Sequence, residues 1–272
     1  MSREPAGAES PVIVKLGGSV ITRKREVERV RPKVLDRLAH EIAESGLNRI
    51  VVLHGAGSFG HPGARRFGLA HAPPADEDPR KRAHGAAIVS AEVRRLHVVV
   101  LRALVAAGSS PISVPMATHA LNRSGELERL DAEAVQDALR RGLMPVSFGD
   151  VVPDDAWGSS ILSADTIARA LTPTLRPHRV IFVSDVPGIL EGPGTGRRSI
   201  VPEVTDEVVG SLRPPPGAPD VTGGIRGKAS AMRAIARAGS DAGLISGLTD
   251  GALLRAIRGE FVYGSWAHAE TG

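Results

Sequence analysis

The feature that most constrains the fold of this chain is a regular alternation of short apolar runs with amphipathic stretches. The runs PVIVKLG and RIVVLHG are rich in β-branched residues and closed by glycine, and residues 32–45 between them repeat apolar positions at helical spacing. Parallel strands require crossover connections, usually helices, and strands buried on both faces read as continuous apolar runs. The alternation therefore predicts a three-layer αβα sandwich with a mainly parallel central sheet.

The same alternation continues to the C-terminal part of the chain. Helices are predicted over residues 80–107, 131–141, 163–171, 205–212, 222–238 and 250–257, and the charge pattern of 122–141 is typical of a helix throughout. Further strands are predicted at PISVP, MPVSFGDVV, RVIFVSD and DAGLIS, with EFVYG as an edge strand and a hairpin turn at DDAWGSS. Two proline-rich segments near residues 75 and 216 are predicted to be irregular surface.

Length and composition exclude several classes of protein. At 272 residues the chain can bury a substantial core, and we predict a single domain over 11–272 after a disordered N-terminal extension, 1–10. The absence of cysteine excludes disulfides and thiolate metal sites. No apolar run approaches the roughly 20 residues that span a bilayer, so we expect a cytoplasmic protein that does not bind membranes. The net charge of +4 is spread among mixed charges with 3% aromatic residues, which disfavours nucleic acid as a partner.

Lysine is used sparingly in this chain. The 34 basic residues include only Lys15, Lys24, Lys33, Lys81 and Lys228 as lysines. Because the ordinary surface cations of this chain are arginines, a lysine indicates a place where a compact ammonium is favoured over a planar guanidinium. Lys15 lies at the end of the first predicted strand, which favours a role at that edge of the sheet.

Glycine-rich segments lie where strands end or helices begin. They are KLGGS, HGAGSFGH and TGGIRGK. Glycine lets a ligand approach the backbone closely, and the amides at a helix N-terminus bind anions, so these segments predict phosphate binding. HGAGSFGH has neither the Rossmann nor the P-loop spacing. His61 is able to donate a hydrogen bond to a phosphate, whereas Asp150, Asp165 and Asp185 near strand ends are equally compatible with capping a helix or a turn.

Taken together, KLGGS, HGAGSFGH, GDVV, ILSAD, SDVPGI and TGGIRGK occur in the order of the amino acid kinase superfamily. The chain resembles the isopentenyl phosphate kinases most closely, over about residues 11–263, and HGAGSFGH is the most specific element. The resemblance implies the amino acid kinase (carbamate kinase-like) fold and ATP-dependent phosphorylation of isopentenyl phosphate to isopentenyl diphosphate, a step of isoprenoid biosynthesis by an alternative mevalonate route. It also implies Mg²⁺ held largely by the nucleotide, no metal ligand from the protein, and a homodimer.

The resemblance also implies a role for each matching residue. Catalytic roles are implied for Lys15, Lys24, Lys228 and Asp165, the last as the acid that orders the catalytic lysines. Binding of the acceptor substrate is implied for His61, Gly55, Ala56, Gly57, Gly60, Gly149 and Ser163. Binding of the nucleotide is implied for Gly17, Gly18, Ser19, Asp185, Gly188, Gly224 and Lys228. The acceptor residues would lie in a lobe of about 11–175 and the nucleotide residues mostly in a lobe of about 176–272.

Two departures from the family pattern and two rival functions stay open. Where relatives usually read SGDD this chain has SADT, with Ala164 and Thr166, and where TDVDG is common it has SDVPG, with Pro187. The rivals are a fosfomycin-type kinase of small phosphorus oxyanions and a catalytically silent small-molecule sensor. For the acceptor tail, candidate apolar walls are PISVPMAT and a helical stripe, which core packing explains equally well; its members are Ala83, Ala87, Ile88 and Ala91.

Overall fold

The structure is a computed structural model that describes residues 10–24, 26–190, 199–212 and 224–270. The strands are β1 (Val12–Leu16), β2 (Ile50–His54), β3 (Pro111–Ser113), β4 (Ala120–Arg123), β5 (Glu126–Leu130), β6 (Met144–Phe148), β7 (Asp150–Asp154), β8 (Gly158–Leu162), β9 (Arg179–Ser184), β10 (Asp241–Ser246) and β11 (Gly264–Ala267). The helices are α1 (Gly18–Ile21), α2 (Pro32–Glu44), α3 (Gly57–Arg66), α4 (Pro79–Ala106), α5 (Glu133–Arg140), α6 (Ala164–Leu175), α7 (Asp206–Ser211), α8 (Gly224–Arg237) and α9 (Ala252–Arg258). The expected extension before residue 10 and the segment near 216 lie outside the described residues.

The central sheet has the strand order β11-β10-β9-β1-β2-β6-β3 among the described residues. Every neighbouring pair in it is parallel except β10 and β11, which are antiparallel. β1 lies at the centre, with Val12 opposite Ile50 on one side and opposite Arg179 on the other. The prediction of a mainly parallel central sheet is confirmed.

Helices cover both faces of this sheet because successive side chains of a strand point to opposite faces. In β1, Val12, Val14 and Leu16 are buried in one core, together with residues of α2, α4 and α9. Ile13 is buried in a second core, together with residues of α5, α6 and α8. The three-layer αβα arrangement predicted from the alternation is therefore confirmed.

A buried carboxylate fixes one of these helices to its neighbour. Glu41 of α2 accepts hydrogen bonds from the backbone N–H groups of Gly251, Leu253 and Leu254, at 3.1, 3.0 and 3.2 Å. It also forms an ion pair with Arg37, one turn earlier in α2. Glu41 thus satisfies otherwise unpaired N–H groups at the start of α9, which a helix cannot satisfy internally.

A second sheet, β5-β4-β7-β8, corrects two of the predictions. The segment MPVSFGDVV is not one strand, because the chain passes at Gly149 from β6 in the central sheet to β7 in the second sheet. Residues 122–130, with a charge pattern typical of a helix, instead form most of the β4–β5 hairpin, which turns at Ser124 and Gly125, both with positive φ. Asp154 fixes this turn by accepting hydrogen bonds from the backbone N–H groups of both turn residues.

Element boundaries differ from prediction mainly at the C-terminal edge strand. EFVYG is not a strand; the edge strand is β11, and Phe261 and Tyr263 are exposed. The expected hairpin turn at DDAWGSS connects β7 and β8, and the predicted helices are present with ends within four residues of the prediction where the structure describes them. Within the described ranges, no helix has both the length and the apolarity needed to cross a bilayer.

Candidate active site

A cavity of about 580 Å³ opens at the carboxyl edge of the central sheet. This is the edge at which ligands bind in open parallel sheets, and the volume suits a small ligand. The residues that sequence analysis selected line it, with the exception of Gly57: Lys15, Gly17, Gly18, Ser19, Lys24, Gly55, Ala56, Gly60, His61, Gly149, Ser163, Asp165, Asp185, Gly188, Gly224 and Lys228. Residues up to 213 positions apart in the sequence, Lys15 and Lys228, are brought together because β9, β1, β2 and β6 end side by side.

Two lysines share one buried carboxylate in this cavity. Lys15 Nζ lies 2.6 Å from Asp165 Oδ1, and Lys228 Nζ lies 2.7 Å from Asp165 Oδ2. β1 supplies Lys15, the first turn of α6 supplies Asp165, and α8 supplies Lys228. The single carboxylate holds two ammonium groups at one side of the cavity, a concentration of positive charge suited to a polyphosphate.

Burial and charge oppose each other in this cluster. Burial lowers the pKa of Lys15 to about 8, against the effect of Asp165, which favours the ammonium form. Burial alone would raise the pKa of Asp165, but Lys15 and Lys228 outweigh it and hold that pKa far below its usual range. Asp165 is therefore a carboxylate at neutral pH, and the charge of Lys15 depends on it.

The third predicted catalytic lysine lies in a separate ion pair. Lys24 Nζ is 2.8 Å from Asp185 Oδ2, and the Ser19 hydroxyl donates a hydrogen bond of 2.6 Å to Asp185 Oδ1. Burial acts to raise the pKa of Asp185, but hydrogen bonds from Lys24 and Ser19 outweigh it and lower the pKa. Lys24 is more than half exposed, so its side chain is on the solvent side of the cavity.

Two glycine loops touch through their backbones. A Cβ atom at Gly18 would lie 2.4 Å from the Gly57 nitrogen, and one at Gly55 would lie 2.7 Å from the Gly18 nitrogen, closer than real Cβ contacts allow. Gly57 has φ of +51°, a conformation that side chains disfavour. Thr22 adds a link, donating through Oγ1 to the Gly18 carbonyl and accepting from the Ser58 N–H. Gly57 therefore lies behind the cavity, packed against Gly18, which explains why it is not a lining residue.

The remaining predicted acceptor residues lie on the β2 and β6 side of β1. His61 lies one turn inside α3, and it lines the cavity. Ser163 is the N-cap of α6, where its hydroxyl accepts from the Thr166 N–H. Of the departures from the family pattern, Ala164 is buried in the core beside that cap, while Pro187 is exposed.

The structure places an unpredicted cation beside this side of the cavity. Arg94 of α4 lies 3.0 Å from Asp150 Oδ2, and its guanidinium carbon lies 5.6 Å from the centroid of the Phe148 ring. Asp150 lines the cavity; burial raises its pKa, opposed by Arg94. Sequence analysis missed Arg94 because it is one of many arginines on a long helix, and only the position of Asp150 after Gly149 gave any signal.

The apolar part of the cavity corrects the predicted wall on α4. The wall is lined by Ala64, Val89, Val93, Ile161 and Leu162. Of the predicted stripe, Ala83 and Ala87 line a different cavity, beside Trp157, and so does Ala117 of PISVPMAT. The prediction selected the wrong face of α4 because the small residues of that stripe pack near β7 and β8, whereas Val89 and Val93 face α3 and the cavity.

The acids of the cavity are already paired with cations. Asp165 is paired with two lysines, Asp185 with Lys24, and Asp150 with an arginine. Among the described residues, no group of three or more histidine, aspartate or glutamate side chains is arranged to hold a metal ion. The donor set fits a magnesium ion carried by nucleotide phosphates better than one bound by the protein itself.

The fold and the site define a class of phosphotransferase. A sequence model described as "Amino acid kinase family" matches residues 10–245. The chain therefore belongs to the amino acid kinase family.

Similarity to particular members extends over nearly the whole chain. The isopentenyl phosphate kinase of Methanothermobacter thermautotrophicus is 32% identical, covering 93% of this chain and 97% of the relative. The isopentenyl phosphate kinase of Haloferax volcanii is 33% identical, covering 83% of this chain and 88% of the relative. A solved structure titled "X-ray structures of isopentenyl phosphate kinase" matches with a TM-score of 0.84 at 30% identity, covering 94% of this chain and 99% of that one. A product complex of the Thermoplasma acidophilum enzyme matches with a TM-score of 0.75 at 28% identity, with the same coverage.

Proposed function

We propose that this protein transfers the γ-phosphoryl group of ATP to isopentenyl phosphate and so produces isopentenyl diphosphate. The observation that carries the proposal is the composition of one cavity. It combines the Lys15–Asp165–Lys228 cluster with the glycine loop that bears His61 and with an apolar wall. Cations and amides suit two phosphate groups, and the wall suits a short hydrocarbon tail. Relatives and structures named isopentenyl phosphate kinase support the same substrate.

The chemistry requires no general base. An oxygen of the acceptor phosphate, already anionic, forms a bond to the γ-phosphorus of ATP while the bond between that phosphorus and the β–γ bridging oxygen breaks. ADP leaves with the electron pair of the broken bond, and no proton has to be removed from the nucleophile. The barrier lies in bringing two anions together and stabilising charge on the transferring group, which are tasks of position and electrostatics.

In this proposal the sheet order separates the two substrates. Asp185 follows β9 and the loop bearing His61 follows β2, so they lie on opposite sides of β1. The nucleotide would bind on the β9 side, against Gly17, Gly18, Ser19, Asp185, Gly188 and Gly224. The acceptor phosphate would bind on the β2 side, against His61, Gly55, Ala56, Gly60, Gly149 and Ser163. Lys15 and Lys228 would neutralise the phosphoryl group between them, and Asp165 would hold both in place.

The proposal includes several features implied by the family. Mg²⁺ would accompany the ATP phosphates, neutralise part of their charge, and use no dedicated protein carboxylate. The protein would act in the cytoplasm as a homodimer, with an acceptor lobe of about 11–175 and a nucleotide lobe of about 176–272. Light scattering coupled to size-exclusion chromatography measures the oligomeric state directly.

A coupled assay of ADP release tests the function. The purified protein is given ATP and Mg²⁺ with isopentenyl phosphate, dimethylallyl phosphate, fosfomycin or acetylglutamate as separate acceptors. We expect isopentenyl phosphate to give the highest kcat/KM, with isopentenyl diphosphate identified by mass spectrometry. Turnover of fosfomycin alone would identify the rival kinase instead.

The silent-sensor alternative predicts binding without turnover. Calorimetric titration with isopentenyl phosphate in the absence of ATP shows whether the acceptor binds, and the ADP-release assay then distinguishes the two, because an enzyme and a sensor both bind but only the enzyme releases ADP. The ion-paired Lys15 and Lys228 favour the enzyme, since a sensor has no need for ammonium groups where a phosphoryl group would pass.

A further inference from the structure

A chain of hydrogen bonds runs behind the glycine loop, outside the roles assigned above; its two histidines are buried, and it begins at the exposed Ser113. His54 Nδ1 lies 3.2 Å from the Gly55 carbonyl oxygen, and His54 Nε2 lies 3.1 Å from His97 Nδ1. His97 Nε2 lies 2.7 Å from the Ser113 hydroxyl. The chain links edge strand β3 through α4 to the first residue of the loop that lines the cavity.

The surroundings keep both imidazoles uncharged. The two rings lie 5.3 Å apart and pack on Phe148, with ring centroids 5.4 Å from His54 and 4.3 Å from His97. Burial lowers the pKa of His54 to about 3, and the nearby His97 and Lys15 act in the same direction. Burial lowers the pKa of His97 to about 4, assisted by the positive charge of Arg94. Both rings are therefore neutral at pH 7, each with one N–H group.

The Gly55 carbonyl at one end of this hydrogen-bonded chain determines which atom carries the proton at every step. A carbonyl oxygen only accepts, so His54 Nδ1 must carry the proton and donate to Gly55, which leaves His54 Nε2 as an acceptor. His97 Nδ1 must then donate to His54, which leaves His97 Nε2 to accept from the Ser113 hydroxyl. All the hydrogen bonds consequently run in one direction, from Ser113 towards the glycine loop.

We propose that His54 and His97 are positioning residues that fix the Gly55–Ala56 peptide so that the Ala56 N–H faces the acceptor phosphate. In a planar trans peptide the N–H points opposite to the C=O, so holding the Gly55 carbonyl against His54 turns the Ala56 N–H the other way. Ala56 lines the cavity, and within the described ranges no hydrogen bond from its N–H is found. The inference rests on the proposed function, because it takes the loop to bind the acceptor.

Nitrogen NMR of the wild-type protein labelled in histidine tests the proton order without any substrate. We expect two histidines that keep the Nδ1–H form and do not titrate between pH 6 and 8; the variants His54→Gln and His97→Leu assign their signals. An Nε2–H tautomer or a charged ring at pH 7 for either residue overturns the proposal. Because no turnover is measured, this outcome is separate from a failure of the proposed function.

Kinetics of a matched pair of variants test the effect on the loop. In His97→Asn the side-chain NH₂ group takes the place of Nδ1–H and still donates to His54, whereas His97→Leu removes the donor. We expect His97→Leu to raise the acceptor KM about three- to ten-fold, the loss of one neutral hydrogen bond, and to leave the ATP KM within about two-fold. His97→Asn should recover most of the difference. His40→Leu, an exposed histidine on α2, is the control for loss of an imidazole.

A purely structural role gives a different result. In that case His97→Leu lowers the melting temperature, and the acceptor and ATP KM values stay unchanged or rise together; either result overturns the proposal. Inorganic phosphate is also tested as a competitive inhibitor against the acceptor. If its inhibition constant is the same in wild type and in His97→Leu, the loop is intact and the proposal is likewise wrong.

Discussion

Asp165→Asn is the substitution that most directly tests the lysine cluster. The amide keeps the shape of the carboxyl group but removes the negative charge that lies 2.6 Å from Lys15 Nζ and 2.7 Å from Lys228 Nζ. Two buried ammonium groups then face each other without a counter-ion. We expect Lys15 to lose its proton, because its pKa is already lowered to about 8 by burial even with Asp165 present.

The size of the effect follows from the buried ion pair. Breaking such a pair costs about 3 kcal/mol or more, which corresponds to about two pKa units. The pKa of Lys15 would fall from about 8 to about 6. At pH 7.5 the charged fraction of Lys15 would then drop from about three quarters to about 3%, so kcat/KM falls about twenty-fold or more.

The pH dependence of kcat/KM measures this shift. We expect wild type to lose activity as pH rises through about 8, where Lys15 loses its charge, and Asp165→Asn to do so about two units lower and to recover towards pH 5.5. Asp137→Asn, which removes an exposed acid paired with Arg140 on α5, is the control and should leave the profile unchanged. A uniform loss of rate in Asp165→Asn with the basic limb at its wild-type pH would refute the reasoning.

Further substitutions test separate parts of the protein. Lys228→Ala should lower kcat about 100-fold or more with little change in KM, since the ammonium acts mostly in the transition state, and Lys228→Arg should not restore it fully; steady-state kinetics checks both. His61→Ala should raise the acceptor KM about ten- to one-hundred-fold while the ATP KM stays constant, and equal effects on both with a lower melting point would contradict its role. Glu41→Ala should reduce the free energy of unfolding in urea by about 3 kcal/mol without changing kcat, because Arg37 and the N–H groups of α9 lose a buried partner.

Much of the site was predictable because it follows from topology. Parallel strands that each end in glycine place those glycines at one edge, so Gly17, Gly55 and Gly149 are brought together without any knowledge of side-chain packing. The unusual use of lysine added the identity of the cations. The pairing of Lys15 and Lys228 on one carboxylate could not be predicted from topology or periodicity. The family resemblance was what indicated it.

The failed predictions share a physical cause, because the residue pattern within a segment does not determine which other element that segment packs against. Residues 122–130 carry charges at helical spacing, but Ser124 and Gly125 adopt positive φ and Asp154 holds the turn from a distant strand. α4 packs against several different elements, among them α2, α3 and β7, so an apolar stripe does not identify the face that lines a cavity. In the sequence, His97 is an ordinary polar position on that helix. Only the fold shows that His54 lies beside it.

The contact between Gly18 and Gly57 acts as a spacer of fixed length. The backbone of each loop limits the approach of the other, so the separation between the proposed nucleotide side and the proposed acceptor side is set by atomic radii rather than by adjustable side chains. A methyl group at residue 18 would push the two sides apart and lengthen the path of the phosphoryl group, whatever substrate is bound. A side chain at either position would meet the backbone of the other, which no substitution there can remove, so in a library randomised at both positions active clones should retain glycine at both.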